Sequence, residues 1–204
     1  MDGDTIMRRP VQTILLLCMT LLAILAGSTV TGDEKPSFNA AGITPNAEEQ
    51  KLYILIMRYR AERGLAAIPL SRSLTHVAQV HARDLTDNRP AKGECNMHSW
   101  SDSGPWTACC YTSDHRQAAC MWNKPKELTT YPGNGYEISH GAWGAAVSAE
   151  TALRGWKGSP GHNAVIVNEG MWSRDWKAIG IGIYGNYAVA WFGHEEDPAG
   201  TMKP

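Results

Sequence analysis

Residues 156–166 read Trp156-Lys-Gly-Ser-Pro-Gly-His162-Asn-Ala-Val-Ile166. Just upstream, Ala145–Trp156 is rich in Ala and Val and reads as a helix, which the turn residues Gly158-Ser-Pro-Gly161 close. A helix end, a rigid turn and an imidazole thus fall within a few residues of one another. Two other segments set ionisable side chains in rigid surroundings in the same way. They are Cys95-Asn-Met-His98-Ser-Trp100 and Gly133-Asn-Gly-Tyr-Glu137-Ile-Ser139. His98, Glu137 and His162 are the candidate site residues, with Ser159 beside them.

Working outward, Asn46–Arg63 reads as a helix. Asn46 is its N-cap, Glu48 and Glu49 lie in its first turn, and Gly64 ends it. Its apolar stripe is Leu52, Leu55, Ile56 and Tyr59. Ser71 or Ser73 opens a second helix to about Asp87, with Leu74, Val77, Ala78, His81, Ala82 and Leu85 at helical spacing on one buried face. His81 sits on that stripe and reads as a satisfied core or edge histidine. His140 follows Glu137 by three residues and is the other histidine to watch. Lys177–Tyr184 and Asn186–Phe192 run apolar or alternate, with Gly185-Asn186 between them, as in a hairpin. Helices come first and strands after, which gives one α+β domain.

Composition narrows the function. Hydrophobic residues are 43% and charged residues 19% of the 204, which excludes disorder and a coiled coil. The formal net charge is -1, so no basic excess exists to neutralise nucleic-acid phosphates. The eight Trp against two Phe suit cavity walls as well as cores.

Arg8-Arg9, the apolar run Ile14–Ala26 and the small, polar Gly27–Gly32 follow the order of an export signal. The run is too short to span a bilayer, so an integral membrane protein is not expected. The chain divides into a signal over 1–32, a flexible leader over 33–45, a domain over 46–194 and a C-terminal tail over 195–204. Removal of the signal takes Cys18 and leaves Cys95, Cys109, Cys110 and Cys120. Four Cys in an exported chain read as two disulfides. A vicinal bond is strained, which leaves two pairings: Cys95–Cys109 with Cys110–Cys120, or Cys95–Cys110 with Cys109–Cys120. They lie in Arg89–Gly135, a segment with four Pro, three Trp and little periodicity. Gly180-Ile-Gly-Ile-Tyr-Gly185 matches a dinucleotide fingerprint, but it lies in a strand with no helix after it.

Taken in order, these elements resemble the CAP superfamily, or SCP domain, of secreted proteins. Arg58-Tyr-Arg-Ala-Glu-Arg-Gly64-Leu65, Pro69-Leu70 and Leu74…Ala78…His81-Ala82 resemble its opening helices. His98-Ser99 resembles its HS element. Gly135-Tyr-Glu137-Ile138 resembles its GENI element, with Tyr136 shifting the glycine. Trp156…Ser159-Pro-Gly-His162 resembles its bacterial WxxSPGH signature, and Ile179–Ile183 with Ala188–Phe192 its terminal hairpin. The resemblance covers residues 48–193. It implies an α–β–α sandwich around a small, mostly antiparallel sheet, with a third strand between His98 and His162. It also implies a cleft of two His and two acids, of which His98, Glu137 and His162 supply three. The fourth acid usually follows the Trp equivalent to Trp156, where this chain has Lys157-Gly158-Ser159. Glu150 lies nearly two turns earlier and is no substitute.

The trio reads in two ways. It is a hydrogen-bonded network tying two loops to the core, or two neutral imidazoles, His98 and His162, that hold a divalent metal, Zn²⁺ first of all. Glu137 would then orient one imidazole or move a proton. Two His ligands alone would hold zinc weakly. The resemblance implies a secreted, non-enzymatic binding module for a lipid, a sterol or another apolar small molecule, or for a cell-surface component. Trp100, Trp106 and Trp122 would line its groove, or else pack around the disulfides. The alternatives are a metal-dependent hydrolase or peptidase using His98, His162 and Glu137, and a purely structural interaction domain.

Overall fold

The computed structural model describes residues 38–141, 144 and 146–204, together with Met1. The expected export signal beyond Met1 and the first positions of the expected leader, up to residue 37, lie outside the described residues. So does Ala145, the expected start of the third helix. Among the described residues no helix is long and apolar enough to cross a membrane.

Helix α1 spans Ala47–Ala61. Asn46 accepts a hydrogen bond from the Glu49 amide at 3.0 Å, and Glu49 Oε2 accepts one from the Asn46 amide at 2.8 Å. This reciprocal cap satisfies two amides that the first turn would otherwise leave open. Strand β1, Leu70–Ser71, leads directly into α2, Arg72–Asp87. Ser71 caps α2, its hydroxyl accepting from the Leu74 amide at 2.9 Å.

The segment 89–135 holds two helices of five residues, α3 (Ala118–Trp122) and α4 (Lys124–Leu128). Each is barely more than one turn, so no periodic pattern announces it. Strand β2, Tyr136–Gly141, is the third strand expected between His98 and His162. Helix α5 spans Ala149–Gly158 and starts where Ser148 caps it, its hydroxyl accepting from the Thr151 amide. Ser159 then serves as the C-cap of α5 and the N-cap of α6, Pro160–Ile166. The expected turn Gly158–Gly161 therefore both closes one helix and opens the next. Pro160 suits the first position of α6, where a missing amide costs nothing and a fixed φ helps. The hairpin follows as β3, Ala178–Tyr184, and β4, Tyr187–Gly193.

Residues 195–204, expected as a tail, are built into the domain. Strand β5, Thr201–Met202, pairs antiparallel with β1. Asp197 accepts hydrogen bonds from the Ser71 hydroxyl at 2.6 Å, the Ser73 amide at 2.8 Å and the Ser73 hydroxyl at 2.8 Å. The sheet order is β2-β4-β3-β1-β5. All neighbours are antiparallel except β1 with β3.

Helices cover both faces. Leu52 and Ile56 of α1, Trp156 of α5 and Ile166 of α6 pack with Ile138, Ile181, Ala190 and Phe192 on one side. Leu74, Val77, Ala78 and Leu85 of α2 pack with Val189 and Trp191 on the other, joined by Trp100, Tyr111 and Met121 from the insert. This is the α–β–α sandwich. The glycines of the failed fingerprint have a packing role. A Cβ at Gly180 would strike the backbone of Leu74 and Thr75, and one at Gly182 that of Ala78. The α2 backbone lies directly on β3 because those two positions carry no side chain.

Candidate functional site

Three chain segments meet at Glu137. The apolar stripe of α2 carries His81 inward, where it is fully buried. The β2–β4 register pairs Glu137 with Trp191. The third segment is the loop Asn96–Ser101. The Asn96 side chain accepts from the His98 amide at 3.0 Å, and Trp100 and Cys109 exchange two backbone hydrogen bonds at 2.8 and 3.0 Å. The disulfides are Cys95–Cys110 and Cys109–Cys120, which settles the pairing that spacing left open.

Glu137 binds two imidazoles. Its Oε1 meets His81 Nδ1, and its Oε2 meets His98 Nδ1 at 2.7 Å. Its carboxylate side chain is fully buried, while the His98 side chain keeps 20% of its surface open. Burial alone would raise the Glu137 pKa, but the attraction and hydrogen bonds of His81 and His98 prevail and hold it below the usual carboxylate value. His81 Nε2 faces the Ser99 carbonyl at 3.0 Å. The His81 ring stacks on Trp100 at 4.2 Å and 7°. His81 is thus the satisfied core histidine that its stripe position indicated. Its direct contact with Glu137, 56 residues away, carried no sequence signal.

His162 is the third residue of α6 and is half-buried. Neither of its ring nitrogens has a hydrogen bond among the described residues. Burial lowers its pKa, the nearby His98 and His140 lower it further, and Glu137 opposes them. His140 is also lowered, by burial and then by Arg154. The electrostatic coupling places His98, His140, His162 and Glu137 in one neighbourhood. Glu137 and His140 nevertheless leave β2 on opposite faces, since they are an odd number of residues apart. The His140 ring lies against Gly155 of α5, where a Cβ would come within 2.6 Å of its Nδ1.

Ser159 contributes the α5–α6 junction and makes no side-chain cap. Glu150 is exposed and paired with Lys51 at 2.6 Å. Lys157, in the stretch where a fourth acid was sought, turns its ammonium onto the Tyr59 ring at 4.0 Å. Among the described residues no group of three or more His, Cys, Asp or Glu is placed to hold a metal ion. Among the described residues, His98 Nε2 and both ring nitrogens of His140 and of His162 make no hydrogen bond, and His98 and His162 are the pair that the sequence singles out for a metal.

Of the two arrangements open to the insert tryptophans, packing beside the disulfides is the one the structure shows. Trp100 is 2% exposed and sandwiched by His81 and, edge-on, by Trp106 at 5.3 Å. The Trp106 indole donates to the Ser101 carbonyl at 2.9 Å, and Trp122 packs on Tyr136 at 5.7 Å. Beneath them lies Lys124, fully buried. Its ammonium donates to the Thr107 carbonyl and to Glu127 Oε2, the latter at 2.6 Å, and sits 5.2 Å from the Trp100 ring. Burial pulls its pKa down, against Glu127 and Asp84.

No protein-family model matches the chain, and no curated protein matches it. Solved structures do. An extracellular protein containing an SCP domain from Bacillus anthracis superposes with a TM-score of 0.53 and 19% identity, over 75% of this chain and 44% of that one. An outer surface protein from Borrelia burgdorferi superposes with a TM-score of 0.51 and 17% identity, over 76% of this chain and 97% of that one. The fold is the SCP, or CAP, fold. The chain spans less than half of the Bacillus protein, so the likeness concerns the domain alone. Within this fold, the segments His98-Ser99, Gly135–Ile138 and Ser159–His162 carry His98, Glu137 and His162.

Proposed function

We propose that this chain is an exported, non-enzymatic binding module with the SCP fold. The observation that carries this reading is the state of Glu137. Both of its oxygens are engaged by imidazole nitrogens and its side chain is fully buried, so it has neither a free oxygen nor access to water with which to act as a general base. A hydrolase would need Glu137 to abandon one of those partners. Export is supported by the Arg8-Arg9 and Ile14–Ala26 pattern, by the two disulfides and by the extracellular or outer-surface descriptions of the proteins that share the fold.

A divalent metal, Zn²⁺ foremost, would be held by His98 and His162. Glu137 fits the role of orienting His98 through its Nδ1–H rather than that of a ligand. A zinc ion there would supply open coordination positions for oxygen or nitrogen atoms of a cell-surface partner. An apolar small molecule would sit away from the packed tryptophans, in the 620 Å³ cavity lined by Leu85, Met97 and Tyr187 together with Arg89 and Lys92. The test is calorimetric titration of the oxidised protein with Zn²⁺, beside His98→Ala and His162→Ala, followed by a peptide-hydrolysis assay of the zinc-loaded protein. Weak zinc binding that either variant abolishes, without turnover, is the expected result. Absence of zinc binding removes the metal from the reading, and zinc-dependent hydrolysis overturns it.

A further inference from the structure

We infer that His81 is a positioning residue: acting through Glu137, it fixes the tautomer and orientation of His98. It deepens the reading above, since that reading supplies the use to which an oriented His98 is put.

The reasoning starts at the Ser99 carbonyl, which can only accept. His81 Nε2, 3.0 Å away, therefore carries a hydrogen and donates it. That assignment leaves His81 Nδ1 for Glu137 Oε1, with one proton between them. The ring cannot turn away. Trp100 stacks on it at 4.2 Å and Trp191 meets it edge-on at 6.2 Å, and the imidazole has no exposed surface.

Held at Oε1, the carboxylate directs Oε2 at His98 Nδ1, 2.7 Å away. Oε2 accepts, so His98 carries its proton on Nδ1 and keeps the Nε2 lone pair free. The bonds close on themselves. Ser99, which holds His81, is the chain neighbour of His98, which Glu137 holds, and Glu137 is held by His81. Helix α2, strand β2 and the loop Asn96–Ser101 therefore each fix the other two. A core histidine present only to fill volume would need neither nitrogen aligned on the acid that orients a site residue.

Nitrogen-15 NMR of the metal-free, oxidised protein reads the tautomer directly. Wild-type His98 is expected as a single Nδ1–H tautomer. An Nε2–H or mixed tautomer in the wild type overturns the inference. His81→Phe keeps an aromatic ring on Trp100 and removes both hydrogen bonds. It is expected to give a mixed His98 tautomer, and a single unchanged tautomer in the folded variant overturns the inference. Should His81→Phe not fold, His81→Met carries the test. It fills much of the volume of the ring and offers Glu137 no donor, so loosening of the tautomer supports the inference and full retention overturns it. Val77→Ala, on the same buried face of α2, should lower Tm and leave the His98 tautomer alone. Because no metal is present, a protein that never binds zinc would sink the metal reading and leave this inference standing. Where zinc does bind, loss of His81 should weaken it about tenfold or more.

Discussion

Helix α2 lies on β3 so closely that no side chain fits between them at Gly180 and Gly182. The insert over 89–135 is held instead by two disulfides, a buried ammonium group and stacked aromatics, with one isolated bridge, Trp100 to Cys109, outside its helices. The body repeats apolar residues at helix and strand periods, so burial of continuous faces stabilises it. The insert has no such period and lacks a face of its own. It packs beside α2, where Trp100, Tyr111 and Met121 join the core under that helix, and needs cross-links and satisfied polar groups to hold one shape. The site stands where the two meet: His81, Glu137 and His162 come from the body and His98 from the insert.

That contrast can be broken from either side. The largest effect should come from Gly182→Val, which drives a side chain into the Ala78 backbone and forces α2 off the sheet. Destabilisation of more than about 3 kcal/mol in urea unfolding is expected, with loss of far-UV ellipticity. An unchanged midpoint would show that α2 and β3 have slack. Replacing Cys95 and Cys110 by Ser should cost about 3 kcal/mol for a loop of that size. The signature should be regional, with near-UV signal from Trp100 and Trp106 lost while the far-UV spectrum persists. A concerted loss of both would mean that body and insert fold as one unit.

Lys124→Met comes next, at about 2 kcal/mol. Methionine fills much of the volume, but the Thr107 carbonyl and Glu127 lose their donor. Thermal melts followed by tryptophan fluorescence would check this, and a neutral result would show that water replaces the ammonium.

The smallest effect is acid sensitivity. Burial lowers the pKa of His76, and it leads the lowering at His140 and His162. Below the ordinary value of 6.5, the unfolded chain takes up protons that the folded chain resists, so stability falls as pH drops. The limit is about 1.4 kcal/mol per pH unit for each imidazole. All three lie in the body. Glu137 and, in the insert, Glu127 are held below 4.5, so their contribution persists until the pH falls past that value. Between pH 7 and 5 the melting temperature should drop, and His162→Gln should flatten the slope. An acid response that begins only below pH 4.5 would contradict this assignment.

Much of the body was legible. The caps of α1 and α2, the apolar stripe with His81 on it, and the hairpin across Gly185-Asn186 all appear where local pattern placed them. The misses share a cause. Helices α3 and α4 are too short to carry a period. Helix α6 hid behind Ser159-Pro160, which signals the end of one helix and the start of another with the same letters. Strand β5 is two residues long and exists because β1 is there to pair with it.

By itself the sequence determined the local elements and the four cysteines of the insert, and it singled out His98, Glu137 and His162 as candidates. Short-range periodicity, caps and turn chemistry are written in neighbouring residues. Only the tertiary structure decided which cysteines pair, that Trp100 is buried, that residues 195–204 cap α2, and that His81 grips Glu137. Each of those depends on which surfaces meet after chain segments far apart in sequence have closed, and on the burial that gives such contacts their strength. Local sequence encodes neither.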